Sequence, residues 1–410
     1  MTASILEGVR VLDLSRVLAG PWAAQLLGDM GADVVKVERP GRGDDARSYQ
    51  PFARTADGQA TRESGFFLCA NRNKRSITAD LAQPEGQALV RALASQADVL
   101  IENYKVGDLA RYGLGYGALA ALNPRLVYCA LTGYGQSGPY AERPGYDAVF
   151  QAQSGLMSVT GLPDGVPGGG PMKAGVSIVD ILAGQNVASA VLGALYRRER
   201  HGEGGQFIEV ALLDSAVAAM SHINANYFVT GQVPQRRGSE GNGGMPACTF
   251  ATADGAFYLS VGNDTQYQRL CRVLDREDLA RDERFQSNHS RWLHRVEMME
   301  VFGAIFRHWT NAELLPVLAA HNVPAGAVNN VQQVFEDAQV RERGLRFSMA
   351  HPLLGQIDQV ACPIRFARTP VRYDRPPPTL GQHADEVLAG WLGAGAAATH
   401  STTDHAKGTP

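Results

Sequence analysis

Hydrophobic and polar positions follow two alternating periods over the first half of the chain. Short apolar runs bounded by turn residues predict strands, and longer stretches with apolar residues every three to four positions predict helices. Because these strands and helices alternate, the pattern predicts βαβ units and an α/β fold with a mostly parallel sheet. The predicted strands are 9–14, 33–38, 98–102, 126–131 and 206–211, and the predicted helices are 21–30, 84–95, 181–200 and 212–228.

The pattern changes in the middle of the chain. Residues 231–245 are rich in glycine, arginine and glutamine and predict a loop, and Ala253-Asp-Gly255 predicts a hairpin. Helical spacing follows, and strand spacing returns after Gly344. The predicted ranges are 1–225 for the first part of a large domain, 226–245 for a linker and glycine-rich loop, 246–340 for a small α+β domain, 341–393 for the C-terminal part of the large domain, and 394–410 for a disordered tail.

Composition narrows the class of partner. The net charge is only -3 and like charges form no long blocks, which argues against nucleic acid and against a polybasic membrane contact. We expect a cytoplasmic protein with a small-molecule partner, because no signal layout and no apolar run near the length of a membrane span is evident. The five cysteines include no C-x-x-C pair, which predicts reduced thiols and no metal site.

Asp180 stands at the start of a long apolar helical pattern. The predicted helix ends with Arg197, Arg198 and Arg200, so the positive end of its dipole points toward Asp180 and favours the ionised carboxylate. An aspartate in this position is also a common helix N-cap without further function. A carboxylate held there can instead act as a nucleophile.

Two segments bear on nucleotide binding. Gly133-Tyr-Gly-Gln-Ser-Gly138 fits G-x-G-x-x-G, but Pro139 follows where that fingerprint needs a helix to begin, so a nicotinamide or flavin site has weak support. Cations within 71–76 and at Arg39 are predicted on loops. Most such cations are solvated surface, although at the carboxyl ends of parallel strands they would suit a nucleotide phosphate.

Several motifs taken together resemble one family. They are Gly8 to Leu14, Ala19-Gly-Pro21, Leu27 to Pro40, Asn73 to Ile77, Asp98 to Tyr104, Gly133-Tyr-Gly135, Gly145-Tyr-Asp147 and Gly175 to Asp180. With these motifs the chain closely resembles the family III CoA-transferases, which include formyl-CoA transferase and the carnitine CoA-transferases, over residues 6–392. Its similarity is greatest to the branch of succinate–hydroxymethylglutarate CoA-transferase, through 221–227, 328–330 and 375–383.

The resemblance implies a reaction. It predicts transfer of CoA from an acyl-CoA, with succinyl-CoA favoured, to a dicarboxylic acid or analogue through aspartyl anhydride and aspartyl-CoA thioester intermediates. No permanently bound cofactor and no metal is expected, since CoA thioesters are the substrates. The acids exchanged stay open, and the branch suggests glutarate, hydroxymethylglutarate, malate, itaconate or a sulfinate analogue.

The resemblance also implies roles for individual residues. Asp180 matches the nucleophilic aspartate, Arg39 a residue near the adenine, and Lys74, Arg75 and Arg111 are candidates for the nucleotide phosphates. The implied CoA-binding residues are Val17, Leu18, Ala19, Arg39, Lys74, Arg75, Asn103, Tyr104, Arg111 and Tyr146, and a lid over the intermediates is implied at Gly241, Asn242, Gly243 and Gly244. A flexible linker is the other interpretation of the lid segment.

Two departures from the family keep alternatives open. The racemase branch has a histidine where this chain has Tyr146, and a phenol with an ordinary pKa near 10 is a poor base at neutral pH. An α-methylacyl-CoA racemase is therefore the alternative enzyme. The glycine run at 241–244 is shorter than in formyl-CoA transferase, which puts formyl and oxalate substrates in doubt. A non-catalytic CoA-binding protein is the third hypothesis.

The family fold implies an unusual assembly. Its members resemble two interlocked rings, each with a Rossmann-like large domain built from both chain ends and a small domain from the middle. We therefore predict an intertwined homodimer, in which neither chain can separate without unfolding.

Overall fold

The computed structural model describes residues 3–241 and 243–393. These residues form two compact units. The first comprises the described residues of Met1–Leu156, Ala174–Thr230 and Glu342–Pro410, and the second those of Met157–Lys173 and Gly231–Arg341. Residues 157–173, which the sequence pattern had left in the first part of the large domain, thus belong to the second unit. The predicted tail 394–410 lies outside the described residues.

The five strands predicted in the first half of the chain are present with bounds that differ by at most one residue, and two short strands within residues 52–64 were not predicted. The strands are β1 (Arg10–Asp13), β2 (Asp33–Glu38), β3 (Phe52–Arg54), β4 (Ala60–Ser64), β5 (Lys74–Thr78), β6 (Val99–Glu102), β7 (Val127–Thr132), β8 (Phe207–Ala211), β9 (Ala247–Ala251), β10 (Ala256–Ser260), β11 (Ala325–Ala327), β12 (Arg346–His351) and β13 (Gly355–Val360).

The helices fill the segments between these strands. They are α1 (Ala19–Asp29), α2 (Gly65–Leu68), α3 (Pro84–Ala94), α4 (Asp108–Arg111), α5 (Tyr116–Leu122), α6 (Asp147–Gln153), α7 (Leu156–Val159), α8 (Ile178–His201), α9 (Leu212–Ala219), α10 (Ser221–Thr230), α11 (Asp264–Val273), α12 (Glu277–Arg281), α13 (Asn288–Leu293), α14 (Arg295–Phe306), α15 (Asn311–Ala320), α16 (Val331–Glu336), α17 (Ala338–Glu342) and α18 (Ala384–Val387), with a 3-10 turn at Asp45–Ser48 and a π-turn at Leu388–Leu392.

A six-stranded sheet forms the centre of the first unit. Its order is β5-β2-β1-β6-β7-β8, and every neighbouring pair is parallel. This is the strand order of Rossmann-type sheets, in which the connections reverse direction between β1 and β6. The predicted α/β class with a parallel central sheet is confirmed.

Alternate side chains of the sheet enter two hydrophobic cores. Val11 and Val34 face the core that contains α1 and α8, whereas Leu12 and Val35 face the core that contains α3 and α5. Helices therefore cover both faces, which explains why the strands are apolar at nearly every position. The C-terminal residues reach the second core through Trp391.

A glycine sets the distance between α1 and α8. A Cβ atom on Gly184 would lie 2.7 Å from the backbone oxygen of Ala19 and 3.2 Å from the Trp22 ring, closer than side chains pack. Because Gly184 lacks that atom, the first turns of α8 pack directly against the start of α1. This contact brings Asp180 to the edge of the sheet where α1 begins.

The same helix qualifies as a membrane span by length and composition. Helix α8 has 24 residues and is the one such helix in the part of the chain that the structure describes. Its buried side chains, among them Val187 and Val191, belong to the core shared with α1. Buried core helices can be as long and as apolar as a membrane span. The expectation that no apolar stretch approaches that length was therefore wrong for α8.

The second unit has its own core. Strands β9, β10 and β11 form an antiparallel sheet, and β9 and β10 are the hairpin predicted around Ala253-Asp-Gly255. Phe250, Phe257 and Phe306 pack edge-on or tilted against one another, and Phe302 stacks on Phe306.

The helix predicted at 212–228 differs from the structure, whereas the weak support for a dinucleotide fingerprint at 133–138 agrees with it. The predicted helix 212–228 is two helices, α9 and α10, because Ser221 has a φ of 44° and interrupts the helical hydrogen bonding. After β7, the run 133–138 begins no helix, and the next helix is α6 at Asp147. The structure thus lacks the strand-to-helix turn that a dinucleotide fingerprint requires there.

Candidate active site

A cleft opens at the carboxyl ends of β1, β6 and β7. It has a volume of about 220 Å³ and lies at the point where the strand order reverses, the usual place for ligands in such sheets. Seven of the residues predicted from the sequence line it together: Val17, Leu18, Ala19, Asn103, Tyr104, Tyr146 and Asp180. Segments far apart in the chain thus converge on one site.

Asp180 lies in the first turn of α8, not before it. The helix begins at Ile178 after an N-cap, Ser177, whose side chain makes no capping hydrogen bond. The cap comes from another helix, because Asp147 of α6 accepts hydrogen bonds from the backbone N–H of Val179 at 2.7 Å and of Asp180 at 3.2 Å. The Asp180 carboxylate is therefore not needed to cap its own helix.

Asp147 is held in place by Gln151, one turn along α6. The Gln151 side-chain amide donates to the second Asp147 oxygen at 2.5 Å, and its carbonyl accepts from the backbone N–H of Ala174 at 2.8 Å. Both side chains are buried. The carboxylate that caps α8 is thus fixed by a network outside the cleft.

The charge state of Asp180 differs from the prediction. Burial, and then the neighbouring Asp147 carboxylate, raise the pKa of Asp180 from its ordinary 3.8 to about 7. The helix dipole was expected to keep Asp180 ionised. That expectation was wrong, because burial and Asp147 together outweigh the dipole. At neutral pH a weakly solvated carboxyl group near half-ionisation faces the cleft, and such a carboxylate is a competent nucleophile.

The opposite wall of the cleft is clamped by Asn103. Its side chain accepts a hydrogen bond from the backbone N–H of Arg16 at 2.8 Å and donates to the backbone carbonyl of Arg16 at 2.7 Å. The Arg16 guanidinium lies 4.7 Å from the centre of the Tyr104 ring. Loops after β1 and β6 are thereby joined into one surface.

Arg39 lies beside this surface. It lines a narrow hollow of about 20 Å³ that shares Arg16 and Tyr104 with the main cleft. Arg39 is exposed, so its guanidinium is accessible next to the cleft.

Two of the predicted phosphate ligands are internal. Lys74 and Arg75 begin strand β5 and do not lie on a loop before it. The Lys74 ammonium is fully buried and donates to Asp13 at 2.8 Å and to Asn71 at 2.9 Å, and burial lowers its pKa to about 8. Arg75 forms two hydrogen bonds to Asp33 at 2.6 and 2.7 Å. Neither side chain is available to a phosphate, so these two assignments were wrong.

Arg111 is accessible but lies elsewhere. It ends α4, has a side chain that is 72% exposed, and pairs with Asp108. It does not line the cleft of Asp180.

The predicted lid glycines differ among themselves. They lie in the second unit, and Asn242 is outside the described residues. A Cβ atom on Gly244 would overlap the backbone oxygen of Val261, whereas one on Gly243 would meet nothing within 4 Å. The Gly241 N–H donates to the Ala247 carbonyl at 2.8 Å. Close packing therefore requires a glycine at position 244, and only Gly243 faces open space.

Sequence reasoning missed several residues of the site. Asp147 had been noted only as part of a motif, and Arg16 and Gln151 had not been noted at all. An acidic residue in the first turn of a short helix is a detectable signal for Asp147. The sequence does not show, however, that Asp147 caps helix α8, whose Asp180 lies 33 positions away.

Comparison with known proteins agrees with this geometry. A family model described as CoA-transferase family III matches residues 6–384. The chain belongs to CoA-transferase family III. The predicted family resemblance is confirmed, and with it the class of enzyme, a CoA-transferase whose substrates are CoA thioesters and carboxylic acids.

Characterised relatives extend over nearly the whole chain. A succinate–glutarate CoA-transferase of Agrobacterium fabrum is 47% identical over 94% of this chain and 95% of its own length. A succinyl-CoA:glutarate CoA-transferase of Mus musculus is 40% identical over 93% of this chain and 85% of its own. These names accord with the predicted branch of the family.

Solved structures share the fold. A CAIB/BAIF family protein from Brucella suis superposes with a TM-score of 0.86 at 39% identity, covering 95% of this chain and all of that one. Rv3272 from M. tuberculosis gives a TM-score of 0.81 at 32% identity, with 93% and 99% covered. Within the described residues, no cluster of three or more His, Cys, Asp or Glu side chains is arranged to hold a metal ion.

Proposed function

We propose that this CoA-transferase moves CoA from succinyl-CoA to a dicarboxylic acid, with glutarate as the first acid to test. The relative that is 40% identical has succinyl-CoA and glutarate in its name, and the one that is 47% identical has succinate and glutarate. The observation that supports the chemistry is the position of Asp180, a carboxyl group with a pKa of about 7 in a cleft at the sheet's reversal point.

In the first half of the proposed reaction, Asp180 releases the donor acid. Its carboxylate attacks the thioester carbon of succinyl-CoA, the C–S bond breaks, and a mixed anhydride and the CoA thiolate form. The thiolate then attacks the aspartyl carbon of the anhydride. Succinate leaves as a carboxylate, and an aspartyl-CoA thioester remains.

In the second half the steps run in reverse order with the new acid. The acceptor carboxylate attacks the aspartyl carbon, which releases the thiolate and forms a second anhydride. The thiolate attacks the acyl carbon of the acceptor, giving the new acyl-CoA and restoring the Asp180 carboxylate. Each bond broken is matched by one formed, so neither ATP nor water is consumed.

We propose roles for the residues around Asp180. Asp147 fixes the first turn of α8 and holds the nucleophile in position, and Asn103 and Tyr104 form the wall along which the pantetheine chain would lie. Gly243, the glycine with open space around it, is the proposed moving part of a lid that excludes water from the anhydrides. Arg39 is the candidate for the adenine end of CoA.

The test is a panel of acids with succinyl-CoA, read by product mass. We expect glutaryl-CoA to form faster than thioesters of monocarboxylic acids of similar length. Faster transfer to oxalate, formate or monocarboxylates would contradict the dicarboxylate proposal. No transfer to any acid would favour the non-catalytic hypothesis.

The nucleophile is tested separately. Asp180→Ala should lower transfer at least about a thousandfold while CoA-thioester binding persists. Hydroxylamine added during turnover should convert Asp180 of the wild type to a hydroxamate, found by peptide mass. The matched control is Asp214→Ala, which removes an exposed first-turn aspartate from the neighbouring helix α9. Full turnover by Asp180→Ala would exclude this mechanism.

An intertwined homodimer and a cytoplasmic location remain part of the proposal. Helix α10 supports association, because none of its residues is buried within this chain. Its Phe228 and Val229 are 78% and 85% exposed. Apolar side chains as exposed as these on a ten-residue helix indicate a protein–protein interface, and a second copy of the chain is the proposed partner.

A further inference from the structure

The loop between β1 and α1 carries a strained residue. Val17 has a φ of 72°, in the left-handed region that is costly for a β-branched side chain. It is the only β-branched residue among the non-glycine residues with positive φ in the described chain, which are Val17, Asn73, Ser221, Asp275 and Asn322. Val17 also lines the cleft of Asp180. A strained backbone persists only where its surroundings fix it.

Side chains from other segments hold successive backbone positions of this loop. Lys36 donates to the Ser15 carbonyl at 2.7 Å, Asn103 brackets the backbone of Arg16, and the Val17 N–H donates to the Asp44 carboxylate at 2.9 Å. The last contact acts on the strained residue itself.

Asp44 is well placed to act as a rigid anchor. It is 2% exposed, and the oxygen that accepts from Val17 also accepts from the Ala46 N–H at 2.9 Å. Its other oxygen pairs with the fully buried Lys36 ammonium at 2.9 Å. Its own N–H donates to Glu38 at 3.0 Å. One carboxylate oxygen thus accepts two backbone hydrogen bonds and the other pairs with Lys36, so the carboxylate cannot turn away from Val17 without losing these contacts.

We infer that Asp44 is a positioning residue for CoA transfer, which holds Val17 in its left-handed conformation and so sets the shape of the cleft beside Asp180. Asp44 does not line that cleft and acts on it through Val17, although Asp44 also lines the neighbouring hollow of Arg39. Without the anchor, Val17 relaxes toward the extended region and redirects the chain entering α1. A displacement of about 1 Å at a reacting centre is enough to lower turnover about a hundredfold. The inference rests on the proposed location of the active site.

The test compares variants that each change one feature: the Asp44 hydrogen-bond acceptor, the Asp44 charge, or the side chain at position 17. Asp44→Ala removes the acceptor and should lower kcat/KM by about a hundredfold. Asp44→Asn keeps an acceptor for the Val17 N–H and should stay within about tenfold of the wild type. Its Tm should be lower, because the Lys36 ammonium keeps only the more distant Asp13 carboxylate at 3.9 Å. Val17→Gly in the Asp44→Ala background should restore activity at least about tenfold, because glycine adopts the left-handed conformation without an anchor.

The rescue separates positioning from stability. Glycine at position 17 relieves the left-handed strain and should therefore raise the Tm of Asp44→Ala. All variants are assayed well below their Tm, where a purely structural role for Asp44 predicts no rescue. If Asp44→Ala does not fold, Lys36→Met is added to both variants to remove the ammonium that has lost its nearest carboxylate. The Lys36–Ser15 contact is then absent from both variants, and the same comparison is made. Asp57→Ala, which removes a surface-turn aspartate, is the control.

Two results would overturn the inference. One is absence of rescue by Val17→Gly, and the other is activity in all Asp44 variants that follows Tm alone. Asp180→Ala in the same series distinguishes this failure from failure of the proposed function. If Asp180→Ala keeps full transfer, the cleft is not the active site; if it loses transfer and Val17→Gly does not rescue, only the role of Asp44 is wrong.

Discussion

Replacing Asp147 with asparagine should shift the pH dependence of catalysis toward acid. The asparagine side chain would keep the oxygen that accepts from the N–H groups of Val179 and Asp180, so the start of α8 stays capped. The substitution would remove the negative charge that, after burial, raises the pKa of Asp180. Because only the ionised Asp180 can attack a thioester, activity of the free enzyme rises with pH through that pKa. Lowering the pKa moves the rise to lower pH.

The magnitude follows from the two causes of the shift. The pKa of Asp180 rises from 3.8 to about 7, and burial is the larger cause. The share of Asp147 is therefore less than half, at most about 1.5 pH units or about 2 kcal/mol. The midpoint should move from about 7 to between about 5.5 and 6.5. At pH 6 the ionised fraction of Asp180 then increases from about a tenth to between a quarter and three quarters.

The assay is kcat/KM for succinyl-CoA between pH 5 and 9, because this parameter reports groups of the free enzyme. The control Asp214→Asn neutralises an exposed carboxylate outside the cleft and should leave the midpoint unchanged. In Asp147→Asn the new amide also meets the side chain of Gln151, so a loss of about 1 kcal/mol in stability is expected. A midpoint for Asp147→Asn that is unchanged, or shifted toward alkaline pH, would refute the electrostatic argument.

Four further predictions concern other parts of the molecule. Gly244→Ala should lower the Tm by several degrees, because its Cβ would overlap the Val261 backbone, whereas Gly243→Ala should keep the Tm and slow turnover. Lys74→Met should destabilise the protein, because the more distant Lys36 ammonium becomes the nearest cation to Asp13. It should not raise the KM for the CoA thioester, and a raised KM at unchanged Tm would restore the phosphate role. Two differently tagged, separately folded preparations should form no mixed dimer over days in native mass spectrometry, and rapid exchange would contradict the interlocked assembly. With tyrosine at position 146, deuterium from solvent should not enter the α-carbon of a 2-methylacyl-CoA at rates near that of CoA transfer, and its entry would revive the racemase hypothesis.

Much of the sheet and the position of the site could be predicted from sequence. Strand β2 has the bounds predicted for it, 33–38, because a strand covered on both faces leaves a continuous apolar run. Once the strands are known to be parallel, their carboxyl ends share one edge, and loops that follow them must meet there. The residues of the cleft came together for this reason.

The buried cations could not be predicted in the same way. Three cations in five residues resemble a solvated loop when only neighbours in sequence are considered. Lys74 is instead internal because Asp13, 61 positions earlier, ends β1 within 2.8 Å of its ammonium. A buried lysine is tolerated only with such a partner, and no local pattern shows that the partner exists.

The charge state of Asp180 also could not be predicted from the sequence, and here the competing free energies can be compared. The helix dipole is visible in the sequence and stabilises a first-turn carboxylate by about 0.3–1 kcal/mol, up to about 2 in partly buried positions. A pKa raised from 3.8 to about 7 corresponds to about 4 kcal/mol in the opposite direction. That larger contribution comes from burial and from Asp147 on α6, both products of tertiary packing. The helix that carries the nucleophile therefore does not set the pH at which it is active; burial in the cleft and the helix that caps it do.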